Sequence, residues 1–162
     1  MKLRSLLLSF LAVLVMLFVM GWQGRLLESP VSPMGILALE FARTPERLAQ
    51  LRLFMNGAHV TWNIILDFLF IAAYTWFLVS ACQYLRTRIR WEKWSTRFIS
   101  IAVAAGLFDV FENFLMLLIW NGRFSPQVLQ VVFYCAMIKF ILVAAVLLFI
   151  LGSLPFALIS KK

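Results

Sequence analysis

Four long apolar runs alternate with short polar segments along the 162-residue chain, over about residues 5–22, 60–84, 98–120 and 128–151. A helix needs ~20 apolar residues to cross the hydrocarbon core of a bilayer, and each run is about that long. Because a backbone in lipid must satisfy its hydrogen bonds internally, such runs predict membrane-spanning α-helices. We therefore predict an all-α integral membrane four-helix bundle, with residues 1–162 forming a single transmembrane domain.

The segment between the first two runs is the longest one that does not span. Pro30 and Pro33 interrupt it, and residues 34–54 then mix apolar and charged positions. Thr44-Pro45 is typical of a helix start, with Thr44 as the N-cap and Pro45 at the first helical position. We predict an amphipathic helix, or two short helices, on the outer membrane surface between spans one and two. The segment is either a surface connector or a lid over a site that opens outward.

Composition agrees with a membrane protein, since 64% of the residues are hydrophobic and 14% are charged. A soluble domain has about a quarter charged residues. The net charge of +8 would suit a nucleic-acid partner, but most basic residues flank the apolar runs, so we expect the lipid bilayer as partner and no nucleic acid.

The basic residues also predict the orientation. Residues 86–97 contain five basic residues against Glu92 alone, which makes this short loop cytoplasmic by the positive-inside rule. Lys2 and Arg4 precede the first run, and Lys161 and Lys162 end the chain on the same side. We expect the first run to be an uncleaved span and both termini to be cytoplasmic.

Local signatures of common catalytic and cofactor sites do not occur in the sequence. There is no CxxC pair, Walker loop, dinucleotide-binding fingerprint or GxSxG motif, and the chain has one histidine and two cysteines. We expect no metal and no cofactor.

The third run carries an acidic stretch, Gly106-Leu-Phe-Asp-Val-Phe-Glu-Asn. Asp109, Glu112 and Asn113 are spaced by three and four residues, so they share one helix face. A carboxylate in mid-membrane costs ~2.5–3.5 kcal/mol by insertion scales, and such groups face protein, water or a ligand. We predict that this face is the core of an intramembrane polar site. Gly106, one turn earlier, predicts a close approach of a neighbouring helix.

Polar residues also follow one face of the second run, and the fourth run carries one cation. The residues of the second run are Asn56, His59, Asn63, Asp67 and Tyr74. At 1.5 Å per residue, the charged residues of the spans lie ~10–16 Å below their outer ends, and they are Asp67, Asp109, Glu112 and Lys139. We expect spans two to four to converge at this layer, with span one packing outside them or against a partner.

Three carboxylates against one ammonium leave a charge of −2 if all are ionised. We therefore predict that at least one carboxylate is protonated at neutral pH, or that a cation or cationic ligand completes the set. The candidate ligand or proton site consists of Asp67, Asp109, Glu112, Asn113, Lys139, Asn63, Tyr74 and His59.

Three functions remain open for such a layer. In the first interpretation, the layer binds or transports a small amphiphile, a cation or a proton, and transport would require a homodimer or a partner membrane subunit. Alternatively, Asp109 or Glu112 provides acid–base catalysis on a lipid-like substrate. In the third interpretation, the charges only hold helices in register. The surplus carboxylates favour a function beyond packing, because one ion pair is enough for register.

Several fragments resemble a family of small bacterial inner-membrane proteins with four spans. They are Asp67-Phe-Leu-Phe with Tyr74, Gly106-x-x-Asp-x-x-Glu-Asn, Lys139-Phe, and Leu39–Glu46. The resemblance implies a bacterial inner-membrane location and no particular activity. The architecture is also similar to sterol-isomerase and sigma-2-type membrane proteins, in which acidic residues in a hydrophobic cavity meet a cationic or carbocation-like group. That likeness suggests a class of site and transfers no catalytic residue, since span one here has no acidic residue.

Overall fold

The computed structural model describes residues 3–89, 91–123 and 125–159, and these residues form helices and no strand. The helices are α1 (Leu3–Gly24), α2 (Leu37–Glu40), α3 (Pro45–Phe54), α4 (Gly57–Arg88), α5 (Glu92–Trp120) and α6 (Pro126–Ile159). Four of them, α1, α4, α5 and α6, are long and apolar enough to span a membrane. The predicted all-α four-span bundle is confirmed. Four of the basic residues used to predict the orientation lie outside the described residues, namely Lys2, Arg90, Lys161 and Lys162.

The segment between α1 and α4, residues 25–56, forms a cap over one end of the bundle. It holds a 3-10 turn at Arg25–Leu27 and the two short α-helices α2 and α3, and the predicted start of α3 is confirmed. Thr44 Oγ1 accepts a hydrogen bond from the Arg47 backbone N–H at 3.2 Å, and Pro45 is the first helical residue. Leu39, Leu48 and Leu51 are fully buried in the apolar cluster beneath the cap. The cap is therefore packed onto the bundle. We call the opposite end, with residues 86–97, the basic end.

The long helices pack mainly in chain order. α4 packs against both α1 and α5, α5 packs against α6, and α4 touches α6 less extensively, while α1 and α6 scarcely meet. A Cβ atom on Gly106 would lie 2.5 Å from Thr75 Oγ1, so the predicted close approach of a neighbouring helix at this glycine is confirmed. This packing leaves a gap between α1 and α6 along the surface of α4.

The buried apolar residues form two clusters along α4, α5 and α6. One cluster lies under the cap and includes Ile64 and Met116, and the other lies toward the basic end and includes Leu78 and Val146. Between these clusters lie the four charged residues predicted to form one layer: Asp67, Asp109, Glu112 and Lys139. The fold therefore places the polar layer inside the bundle, with apolar packing above and below it.

Candidate functional site

Lys139 of α6 is at the centre of the charged layer. Its Nζ atom lies 2.8 Å from Asp109 Oδ1, 3.0 Å from Glu112 Oε2 and 3.3 Å from Glu40 Oε2. All four side chains are buried. Asp109 and Glu112 come from α5, whereas Glu40 ends α2 in the cap. One ammonium group therefore joins the cap to two membrane-spanning helices.

Glu40 is the member of this layer that sequence reasoning missed, because its segment has the pattern of an interfacial helix. A signal was present, since Glu40 interrupts an otherwise apolar stretch from Ile36 to Ala42. Burial raises the pKa of the Glu40 carboxyl above its ordinary value, an effect that Lys139 opposes and Asp109 strengthens. The protonation of Glu40 is thus coupled to the charges beneath the cap.

Two hydrogen bonds connect α4 to the acidic face of α5. The Tyr74 hydroxyl donates to Asp109 Oδ2 at 2.8 Å, and Asn113 Nδ2 donates to Asp67 Oδ2 at 2.7 Å. Asp67 makes no ion pair with any residue that the structure describes. The structure thus brings six of the eight predicted residues into one neighbourhood: Asp67, Tyr74, Asp109, Glu112, Asn113 and Lys139.

The layer has more acceptors and more negative charge than its donors can match. Four carboxylates and one ammonium sum to −3 if all are ionised, because Glu40 adds to the −2 expected from the spans. Glu112 Oε1 and Asn113 Oδ1 have no hydrogen-bond partner among the described residues, and Glu112 Oε2 has only its ion pair with Lys139. Leaving a buried acceptor unpaired costs ~1–3 kcal/mol. Protonated carboxyls or an additional donor would relieve this excess.

The structure does not bring Asn63 and His59 into the charged layer. Asn63 Nδ2 donates to Gln23 Oε1 of α1, and Gln23 Nε2 donates to the His59 backbone oxygen at 2.7 Å. Asn56, at the start of the same stripe, caps α4 by accepting from the Ala58 N–H at 2.9 Å. The upper part of the stripe therefore serves helix packing and capping in this structure. A functional role for Asn63 and His59 stays a prediction.

A cavity of about 480 Å³ adjoins the charged layer in the gap between α1 and α6. Polar side chains line the part of it beside the charged layer, namely Glu40, Asp67, Tyr74, Asp109 and Lys139. The other walls are apolar and come mainly from α1, α4 and α6, including Leu17, Phe70 and Val143. The cavity is thus amphiphilic, with its polar groups gathered at one end.

Within residues 3–89, 91–123 and 125–159, no three His, Cys, Asp or Glu side chains are arranged to hold a metal ion. Three carboxylates contact the Lys139 ammonium, namely those of Glu40, Asp109 and Glu112.

These features define the class of protein: an integral membrane helix bundle with a Lys–carboxylate cluster in its interior. Comparisons of the chain with family models, curated proteins and solved structures give no match. The resemblances drawn from sequence fragments therefore stay predictions.

Proposed function

We propose that this protein binds a small amphiphile within the membrane, with the polar group of the ligand at the charged layer and its apolar part in the adjoining cavity. The single observation that carries the proposal is the mostly apolar cavity of about 480 Å³ whose polar lining residues are gathered beside the charged layer. Ligand pockets are commonly ~300–1,000 Å³ in volume and mostly apolar, with a few polar groups that orient the ligand.

The position of the charges favours binding over a purely structural role. A layer that only held helices in register would be closed and balanced, because unpaired buried charge is costly. Here Glu40, Asp67, Asp109 and Lys139 line open space, and the carboxylates outnumber the ammonium. The surplus negative charge and the free volume occur at the same place.

We also propose a bacterial inner-membrane location with residues 86–97 and both termini in the cytoplasm. The basic character of that loop supports this orientation. Because the cavity lies in the gap between two membrane-spanning helices, a ligand would enter it sideways from the bilayer. Transport of a cation or proton would require a second copy or a partner subunit, since four spans are few for alternating access.

Acid–base catalysis on a lipid-like substrate is the second candidate, and the Tyr74–Asp109–Lys139 chain favours it. Its hydrogen bond and ion pair are both 2.8 Å long, and all three residues line the cavity. Such a chain can pass a proton to or from a bound group. Asp109→Asn separates the candidates, because it would abolish turnover in an enzyme while leaving ligand affinity nearly unchanged.

Thermal unfolding in nanodiscs tests amphiphile binding, using hexadecylamine, hexadecanol and hexadecanoic acid as probes. A ligand that binds the folded state raises the unfolding midpoint in a saturable way. Leu17→Trp places a bulky ring at the cavity wall and is expected to weaken binding by about tenfold, ~1.4 kcal/mol. Leu14→Trp is the matched control, because both leucines are about half exposed on α1 and only Leu17 lines the cavity. If none of the three probes stabilises the protein, the proposal is wrong.

A further inference from the structure

A second, apolar cavity adjoins the cavity beside the charged layer and lies toward the basic end. The second cavity has a volume of about 370 Å³ and lies between the same three helices, α1, α4 and α6. Phe77 and Leu147 line both cavities. Because both cavities lie along α4 between α1 and α6, we call the two neighbouring cavities together the α1–α6 groove.

The dimensions of the α1–α6 groove suit an extended chain. From Phe140 beside the charged layer to Leu154 at the far end, α6 rises ~21 Å at 1.5 Å per residue. The hydrocarbon core of a bilayer is ~30 Å thick, so the groove follows about two-thirds of it. A compact ring system would fill the first cavity alone, whereas a long alkyl chain would occupy both.

The charges at the polar end favour a cationic head group. Asp67 lines the first cavity and has a hydrogen bond from Asn113, but no ion pair with a described residue. An anionic head group would add negative charge beside four carboxylates. A protonated amine would instead offset the surplus and donate charge-assisted hydrogen bonds, which are about twice as strong as neutral ones.

Glu40 supplies a second, independent observation at the same end. Its side chain has a relative exposure of 7%, and Glu40 lines the first cavity. The Oε2 atom has the 3.3 Å ion pair with Lys139, which is the longest of the three ion pairs of that ammonium. An amine in the cavity would add a second cation beside a carboxylate whose one ion-pair partner also serves Asp109 and Glu112.

We propose that the α1–α6 groove takes a single-chain amphiphile with a protonated amine head, which meets Asp67 while its alkyl chain runs toward the basic end. This inference rests on the proposed function and specifies the class of its ligand. Alkylamines are protonated at neutral pH, as lysine is with its ordinary pKa of about 10.4. The ligand reaches the groove from the bilayer through the gap between α1 and α6.

The head-group test compares hexadecylamine, hexadecanol and hexadecanoic acid on the unaltered protein in nanodiscs at pH 7. The amine is expected to bind at least about tenfold more tightly than the alcohol, a difference of ~1.4 kcal/mol, and the acid more weakly than either. Asp67→Asn is expected to lower amine affinity to the level of the alcohol without changing alcohol affinity. Asn keeps the shape of the side chain and an oxygen that accepts from Asn113.

The chain test compares octylamine with hexadecylamine. Leu151→Trp, which narrows the second cavity, is expected to remove the affinity that hexadecylamine gains over octylamine. Leu148→Trp is the matched control, because Leu148 and Leu151 are 70% and 61% exposed on α6 and Leu148 lines neither cavity. A Leu151→Trp variant that keeps the full gain would overturn the path assigned to the chain.

The outcomes separate this inference from the proposed function. Equal binding of amine and alcohol, or an Asp67→Asn variant with unchanged amine affinity, would overturn the cationic head group while amphiphile binding stands. If no probe binds at all, both proposals are wrong. The comparison of the three head groups needs no substitution, so it decides the question even if Asp67→Asn fails to fold.

Discussion

Glu40 joins the cap to the interior of the bundle through a single ion pair. Its partner Lys139 also contacts Asp109 and Glu112 of α5, so the charge on Glu40 affects how α2, α5 and α6 are held together. Glu40 is buried in the cap, and Lys139 is its ion-pair partner among the described residues. The stability of the capped end should therefore respond to pH through this residue.

The first prediction concerns Glu40→Gln. Burial raises the pKa of this carboxyl in the folded protein above its ordinary value of 4.5. When the pKa of a group is higher in the folded than in the unfolded protein, its contribution to stability is complete below the pKa of the unfolded protein. That contribution is lost as the pH rises through the pKa of the folded protein. We therefore expect the unfolding midpoint of the unaltered protein to fall as pH rises above 4.5, and Glu40→Gln to reduce this fall.

Thermal unfolding of the unaltered protein and of Glu40→Gln in nanodiscs between about pH 4 and pH 9 measures this effect. The difference between the two plots of unfolding midpoint against pH is the contribution of Glu40. Glu46→Gln is the control, since Glu46 is an exposed carboxylate of α3 in the same cap. A Glu40→Gln variant with the pH slope of the unaltered protein would contradict the assigned role of Glu40.

At the scale of elements, the contact between α4 and α5 sets the geometry of the charged layer. Gly106 of α5 lies against Thr75 of α4, next to Tyr74, whose hydroxyl bonds Asp109. A residue with a side chain at position 106 would push the helices apart where this hydrogen bond forms. The glycine therefore affects both packing and the site.

The second prediction is that Gly106→Ala destabilises the bundle by ~1–3 kcal/mol, the usual cost of overpacking. The new Cβ would lie 2.5 Å from Thr75 Oγ1, and Thr75→Ala in a double variant should restore most of the loss. Gly152→Ala in α6 is the control, because nothing lies within 4 Å of a Cβ there. Denaturation of the reconstituted variants measures the differences, and equal stability of the two alanine variants would refute the tight contact.

At the scale of the whole molecule, the bundle is open on one side. α1 packs on α4 and scarcely meets α6, and it is attached near its end by the hydrogen bonds of Gln23 with Asn63 and His59. The α1–α6 groove is therefore bounded by protein on three sides and by the bilayer on the fourth. The cap closes one end of the bundle, and residues 86–97 lie at the other.

The third prediction concerns the orientation of the two ends. Single cysteines at Thr87 and Gln50 probe the basic end and the cap, respectively, and both positions are exposed. In bacterial cells, a membrane-impermeant maleimide should label Gln50→Cys in intact cells and Thr87→Cys only after permeabilisation. The native Cys82 and Cys135 are buried and should give little background. The reverse pattern would overturn the proposed topology.

Much of the fold and part of the site follow from local patterns. Hydrophobic length predicts the four spans, and the three- and four-residue spacing of Asp109, Glu112 and Asn113 predicts their shared buried face. The spacing of polar residues does not determine which of several possible partners a polar side chain contacts. Asn63 has the same spacing whether it faces the charges or Gln23, and the structure gives it Gln23.

The sequence by itself determined the helices, their membrane-spanning length and the presence of a charged layer at one depth, because these depend on residues close together in the chain. Only the tertiary structure decided that Glu40 enters this layer and that a groove runs between α1 and α6. An interfacial glutamate has the same local pattern whether it faces water or Lys139. Its partner depends on the turn at Gly35 (φ +56°), which precedes α2, and on packing between residues about a hundred positions apart.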